Sequence, residues 1–458
     1  MANKLYEEND IAAIATAIRS KNGKSDTYKV SQMAAAIDDI SGGGADVVNG
    51  IIKNFKAQAS TVSAAAFVEF VELTASNDTQ LTTTSGQYNY ASAVQIDTNK
   101  IFISLGNSQY LFGTVCTISG STITAGTTTQ LSTTANSYAY ASPVKLDTNK
   151  VFIAHPNGTN YLHGMICTIS GTTITVATDT QLVTFASGSS PYEYASSVLI
   201  DTNKVFISHR SGTFLYALVC TISGNTITVG TDTPLSQITN AFQNANAVKL
   251  DTNKVFIAHR NGNYLYAMIC TISGTTITAG TDTQLSTVVN SYVWNSVALM
   301  DTNKVFIAHR SGFYINAIVC TISGTTITAG TDTALPAIWT NSYYYASVRQ
   351  IDTNKVFIAH QGENSNLYGI ICTISGTSIA SGTDTRLSTL TTSCQFASTV
   401  LLDTNKVFIS HRGGNFLYSK VLDIYDSPRV IESTSKIQGL TKTECTATTS
   451  GQVWVLDN

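Results

Sequence analysis

Charge is scarce in this chain. Lys, Arg, Asp and Glu make up 12% of its 458 residues and the formal net charge is −3, against roughly a quarter charged in an ordinary globular domain. Non-specific nucleic-acid binding needs a clustered excess of Lys and Arg, so this balance excludes it. Long apolar runs are absent too. No stretch approaches the length of a membrane span, which argues against membrane insertion. The first residues lack the apolar core of a signal peptide. That predicts a protein made in a cytoplasm, leaving it by lysis or within an assembled particle.

Catalytic patterns are also missing. There is no Ser-His-Asp arrangement, no phosphate loop and no metal-ligand spacing. The expectation is a protein that is not an enzyme, with no cofactor and no metal. Glu193 and Glu363 are isolated acids that keep a polysaccharide-degrading reading open as an alternative. Eight cysteines could signal a disulfide framework, but Cys116, Cys167, Cys220, Cys270, Cys320 and Cys372 hold one position of a repeat. Equivalent positions in neighbouring units rarely meet the Cα separation of under about 7 Å that a disulfide needs, so these are small buried hydrophobes. Cys394 and Cys445 have no role that the sequence reveals.

What is present is repetition. Asp-Thr-Asn-Lys occurs seven times, starting at Asp97, Asp147, Asp201, Asp251, Asp301, Asp352 and Asp403, with a period of 50 to 54 residues. Each unit reads as four short strands, for example Tyr138 to Leu146, Lys150 to Ala154, Tyr161 to Ser170 and Thr172 to Val176. Four strands repeated seven times predict an all-β fold, a seven-bladed β-propeller of four-stranded blades. The last unit lacks a fourth strand, while Phe67 to Leu81 aligns on the segment that ends each complete unit. An N-terminal outer strand given to the last blade would close the ring and remove its open edges. The predicted propeller covers 67–423, preceded by a helical segment (1–44) and a linker (45–66) and followed by a C-terminal β segment (424–458).

In the first segment, Ile11, Ile14, Ala15 and Ile18 lie at helical spacing after Asn9 and Asp10, and Gly23 can end that helix; a second is expected from Ser31 to Ile40. Two short helices bury little by themselves, so this segment should attach to copies of itself or to a partner. The run Ile11-Ala-Ala-Ile-Ala-Thr-Ala-Ile-Arg-Ser-Lys-Asn-Gly-Lys-Ser-Asp-Thr-Tyr, with Met33-Ala-Ala-Ala-Ile, resembles the N-terminal segment of tail and baseplate-associated proteins from phages of Gram-positive bacteria. Ala59 to Val71 and Ile437 to Leu456 are similar to pairs that flank variable domains in phage tail proteins. The resemblance implies a virion protein, a tail fibre or receptor-binding protein joined to other tail proteins by its N-terminus and forming a homo-oligomer. It covers the two ends and says nothing of the propeller, whose repeat lacks the Trp-Asp of WD40 blades and the sialidase Asp box.

Comparing the seven units with one another locates the tolerated variation. The distance from each repeat Cys to the Leu that closes the fourth strand is constant, 15 residues from Cys116 to Leu131 and from Cys372 to Leu387. Length changes fall only between strands two and three and between strand four and the next unit. Both loops leave the same side of the disc, so one rim is variable and the Asp-Thr-Asn-Lys rim is not. On the invariant rim, Asp and Asn should satisfy backbone donors of their own turn.

The variable rim carries aromatics at the entry of each first strand, small residues after them that suit a crowded axis, and a His at the exit of each second strand. His209-Arg210, His259-Arg260, His309-Arg310 and His411-Arg412 are the full form; Leu105 replaces the His in the first unit. The histidines read either as structural ties or as ligand contacts. Aromatic faces suit sugar C–H surfaces and Arg suits anions. The ligand-binding candidates are Asn157, Arg210, Arg260, Asn261, Asn263, Arg310, Tyr314, Trp294, Trp339, Tyr344, Glu363 and Arg412. The expected partner is a host cell-surface saccharide or anionic wall polymer. The alternative is a structural tail or baseplate component making protein contacts.

Overall fold

The computed structural model describes Thr16 and residues 69–428, apart from 84–88, 108, 134–139, 158–160, 185–194, 237–242, 287–293, 313, 337–345, 363–364, 391 and 393. The chain divides into two compact units, Leu73–Tyr425 and a second made of Met1–Glu72 with Asp426–Asn458. In the second unit Thr16 is helical; otherwise the expected helices, the 45–66 linker and the segment after 428 lie outside the described residues.

The Leu73–Tyr425 unit is a seven-bladed β-propeller. Each blade is an antiparallel sheet, and in all but the last the strands follow chain order outward from the axis. In the third blade these are Ser196–Asp201, Lys204–Ser211, Phe214–Ser223 and Thr226–Val229, with Thr233–Pro234 continuing the outer edge. The middle of the second strand is buried because both of its faces are covered by neighbouring blades. Its Phe (Phe102, Phe152, Phe206, Phe256, Phe306, Phe357, Phe408) is fully buried in every blade, each worth about 2–3 kcal/mol of burial. The core is therefore a set of layers between blades. One layer joins Phe206, Leu215 and Val219 of the third blade to Val255, Ile257 and Cys270 of the fourth. Cys220 and its equivalents are free and buried, and burial pushes the Cys220 thiol up to about 12.

Ring closure follows the expected pattern. The outer strand of the last blade comes from the N-terminal side: Glu69–Ala75 pairs with Phe416–Pro428, and Thr79–Gln80 pairs with the same strand at Ser419 and Tyr418. Leu81 donates its N–H to the Leu417 carbonyl at 2.8 Å. On the other side, the Ala93 N–H of the first blade donates to Ser398 Oγ of the last at 3.0 Å. The Asp-Thr-Asn-Lys turns behave as their chemistry requires. Asp147, Asp251, Asp301 and Asp403 each accept the N–H of the Asn two residues on at 2.8–2.9 Å. The Asn carbonyl then holds the third strand, as Asn203 holds the Ile222 N–H at 2.7 Å.

Three strands of the second blade differ from the sequence reading, and its second runs to Pro156 rather than Ala154. Its first strand is Ser142–Asp147 rather than Tyr138–Leu146, with 134–139 outside the described residues. Its fourth runs without a break from Thr173 to Thr184. In most blades a Gly interrupts the fourth strand where the chain presses on the third: a Cβ on Gly230 would lie 2.5 Å from the Val219 carbonyl oxygen, and one on Gly280 2.3 Å from that of Ile269. The second blade has Ala177 at this position. The close approach is forbidden there, and the strand instead stays on the ladder through register shifts at Leu162/His163 and Ile166/Cys167.

Candidate functional site

The site is built where the first strands enter the axis. Ser92, Ser142, Ser196, Asn246, Ser296, Ser347 and Ser398 form a ring around a central cavity of about 230 Å³, with Tyr90, Tyr140, Trp294 and Phe396 at its mouth. Small residues at the axis relieve crowding, as expected, but they also tie the blades. Ser142 Oγ accepts the Ser197 N–H at 2.9 Å, Ser196 Oγ that of Ala247 at 3.0 Å, and Ser347 Oγ that of Thr399 at 3.1 Å. Pro143 has no N–H to continue the belt from Ser92, and Asn246 instead donates its amide to the Asn295 carbonyl at 2.6 Å.

The aromatics at the mouth are held under strain. Tyr90, Tyr140, Trp294 and Phe396 have φ of 62°, 57°, 71° and 55°, a left-handed conformation costing an L-residue about 1–2 kcal/mol. Bulky side chains rarely occupy it. The same position in four blades does, and the result brings the rings together: Tyr90 lies 3.6 Å from Tyr140 and 4.2 Å from Phe396 between centroids, and Trp294 stacks on Tyr140 at 5.8 Å and 28°. Strain of this kind persists where surrounding structure enforces it, commonly at ligand sites. Aromatic faces and hydroxyls around a cavity the scale of one sugar ring can grip a polar ligand with C–H faces.

The remaining candidates separate into groups. Trp294 belongs to the axial cluster. Tyr314 and Asn263 are exposed on the variable rim, Tyr314 at 46%. Asn261 is buried at 3%. Arg210, Arg260, Arg310 and Arg412 use Nε to brace their own turns, donating to the carbonyls of Gly212, Gly262, Gly312 and Gly414 at 2.6–2.8 Å. The Nε edge that a bidentate anion clamp uses is thus engaged. Asn157 lies with its amide nitrogen 3.4 Å from His163 Nε2. Trp339, Tyr344 and Glu363 lie outside the described residues, as does Glu193.

The histidines are structural ties, and their partner was hidden from a reading by spacing alone. His209, His259, His309, His360 and His411 are buried, and each places Nε2 2.8–3.1 Å from the carboxylate of Asp232, Asp282, Asp332, Asp384 or Asp78. The signal was present: the one blade with Leu105 for His also has Thr128 for Asp. The Asp then reaches the preceding blade, accepting from Ser286 (to Asp332) and Ser388 (to Asp78) at 2.7 Å. His163, outside this repeat, also went unnoticed. The fold brings it to the His155–Asp179 pair.

No family model and no curated protein matches the chain. Solved structures share the fold. A lectin from Burkholderia pseudomallei, BP39L, superposes with a TM-score of 0.52 at 9% identity over 80% of this chain and 99% of its own. The NanB sialidase from Streptococcus pneumoniae gives 0.45 at 11% identity, covering 78% and 71%. A polysaccharide lyase, an ulvan lyase, gives 0.47 at 8%, covering 76% and 94%. The expectation that this chain is not an enzyme is corrected by these neighbours. Proteins named as a sialidase and as a polysaccharide lyase stand among the structural neighbours. At 8–11% identity the likeness is one of fold and assigns no reaction here.

Proposed function

We propose that the propeller is a glycan-binding head that recognises a bacterial surface saccharide or wall polymer at its variable rim. The observation that carries this reading is the strained cluster of Tyr90, Tyr140, Trp294 and Phe396 over a serine-lined cavity. Four aromatics held in a costly backbone conformation at one ring make sense where their faces meet a ligand. Exposed Tyr161 and Tyr314 extend the aromatic surface outward on the same rim. The terminal segments that resemble phage tail proteins supply the setting: a receptor-binding protein of the virion, joined to other tail proteins and to its own copies through the N-terminal segment.

The test is binding of the fluorescently labelled full chain to Gram-positive cells and to isolated wall polysaccharide. Replacing Tyr140 and Trp294 together by Ala should reduce binding at least tenfold with the fold retained by circular dichroism. Undiminished binding would remove the axial site from the reading. Sugar released in the same incubation would make the cavity catalytic rather than only a binding site. Antibody labelling of particles in the electron microscope tests the setting separately, since label absent from tails would refute the virion role and leave the saccharide reading standing.

A further inference from the structure

The second blade departs from the others at one point. Opposite the repeated His on the third strand stand Tyr216, Tyr266, Tyr368 and Tyr418 in four blades, Asn316 in the fifth and Phe112 in the first. The four tyrosines stack on their His at 5.9–6.1 Å and 18–20°. In the second blade this position is His163, directly across from His155. Its ring is tilted 40° from that of His155 and it presents Nδ1 3.1 Å from Asp179 Oδ1, the same oxygen that lies 3.3 Å from His155 Nε2.

Two imidazoles and a carboxylate thus converge, their three ligand atoms within 4.8 Å of one another. The separations of 3.1 and 3.3 Å match the edge of a tetrahedron with metal–ligand bonds of about 2.0–2.1 Å, which is roughly 3.3–3.4 Å. His155 is also held from behind, as metal-ligating histidines are. His155 Nδ1 lies 3.1 Å from the Pro156 carbonyl oxygen, which can only accept, so Nδ1 carries a proton and Nε2 is the nitrogen that faces Asp179. His163 Nε2 lies 3.4 Å from the Asn157 amide nitrogen, a donor, so the His163 proton sits on Nδ1 toward Asp179 and a metal would displace it.

The backbone of this blade supports the same geometry. Asp179 sits on the ladder opposite Met165, because the fourth strand is unbroken, and the register shift beside His163 re-aims that side chain. The Asp of other blades falls between two strand segments, as Asp232 does between Thr226–Val229 and Thr233–Pro234. One side of the cluster opens to water. The His155 side chain is fully buried, that of His163 is 14% exposed and that of Asp179 32%.

We propose that His155, His163 and Asp179 form a divalent transition-metal site of the zinc class, with a coordination position open to solvent at the variable rim. Two nitrogens and one oxygen suit Zn²⁺, Co²⁺ or Ni²⁺ and do not suit Ca²⁺ or Mg²⁺, which take oxygen sets.

The test uses the untagged full chain, stripped with chelator and titrated with Zn²⁺ by calorimetry and with Co²⁺ by absorption. The diagnostic variant is His163→Tyr, which installs the residue of four other blades and should fold like them. Wild type should bind one ion at this site, show the visible bands of four-coordinate Co²⁺ and melt at higher temperature with Zn²⁺. His163→Tyr should lose all three while keeping its metal-free melting temperature. Wild type and variant binding the same number of ions, or wild type binding none, would overturn the proposal. Loss of binding in His163→Tyr but retention in a His209→Asn control would confirm that the second blade is the site.

Discussion

Asp78 and His411 are 333 residues apart in the chain and 2.8 Å apart in the ring. The pair repeats the tie found inside other blades, but here its two halves come from opposite ends of the propeller. Lys420 joins it, with Nζ 3.2 Å from the same Asp78 oxygen and donating to the carbonyls of Ser76 and Leu387. Its counterparts opposite the second-strand Ile are apolar in five blades, Met268 among them. A buried ammonium therefore stands where the repeat has a hydrophobe, and the closing strand supplies its counter-charge. Asp78→Asn should cost about 3–5 kcal/mol, because it strands the Lys in the interior. Lys420→Met should be neutral or stabilising, and the double variant should lose far less than Asp78→Asn alone. Urea unfolding of the three proteins measures this; additive losses would refute the clasp.

The same pair makes closure depend on pH. Burial would raise the Asp78 carboxyl, but hydrogen bonds from His411 and Ser388 and the charges of His411 and Lys420 outweigh it and bring it below its ordinary value. Burial would lower His411, but Asp78 and Cys394 outweigh that and raise it. The depressed carboxyl contributes stability that is present above its unfolded value and lost as pH falls through the folded one. The raised imidazole contributes stability that is full below its unfolded value and lost as pH rises through the folded one. The melting-temperature difference between wild type and Asp78→Asn should therefore be largest from about pH 4 to about pH 6.5 and shrink on both sides. A difference independent of pH would refute the linkage.

Blade number, strand order and ring closure were all legible in the sequence, because the Asp-Thr-Asn-Lys turn and the buried Phe recur at fixed spacing. The face of the axis was legible in part. Small residues after each aromatic marked the innermost strand, yet nothing in Tyr90 or Trp294 as letters announces a positive φ, which those residues normally avoid. The bracing of the arginines was not legible, for a local reason. His-Arg-X-Gly reads as a solvent-facing loop, but the Gly turn points its carbonyl back at Nε. The His–Asp tie was written in the joint change to Leu105 and Thr128, and His163 was visible as the one chain histidine outside the repeat position.

Glycine at the break in the fourth strand should be somewhat less replaceable than glycine in the hairpin turn before it. Gly230→Ala drives a Cβ into the Val219 carbonyl and should cost about 1–3 kcal/mol as an overpacked contact. Gly224 has φ of 61° with nothing near its Cβ position, so Gly224→Ala pays backbone strain of about 1–2 kcal/mol and no clash. Ala177→Gly, in the blade whose strand is unbroken, relieves no collision and should not stabilise. Thermal melts of the three variants rank them, and Gly230→Ala melting above Gly224→Ala would contradict the steric account.

Strain at the axial aromatics can be separated from their contacts by comparing two truncations. Trp294→Ala and Trp294→Gly both remove the indole and its stacking on Tyr140. At an ordinary position Ala is the more stable of the two, since Gly loses more backbone freedom on folding by roughly 0.5–1 kcal/mol. At φ of 71° Ala must pay for the left-handed conformation and Gly need not, so the order should invert, with Trp294→Gly the more stable by about 1 kcal/mol. If the strain serves a ligand, both variants should lose saccharide binding equally, whichever is more stable. Normal ordering of the two stabilities would mean that the backbone at the mouth carries no stored cost. Unequal binding that tracks stability would mean that the ring shapes the fold and not the site.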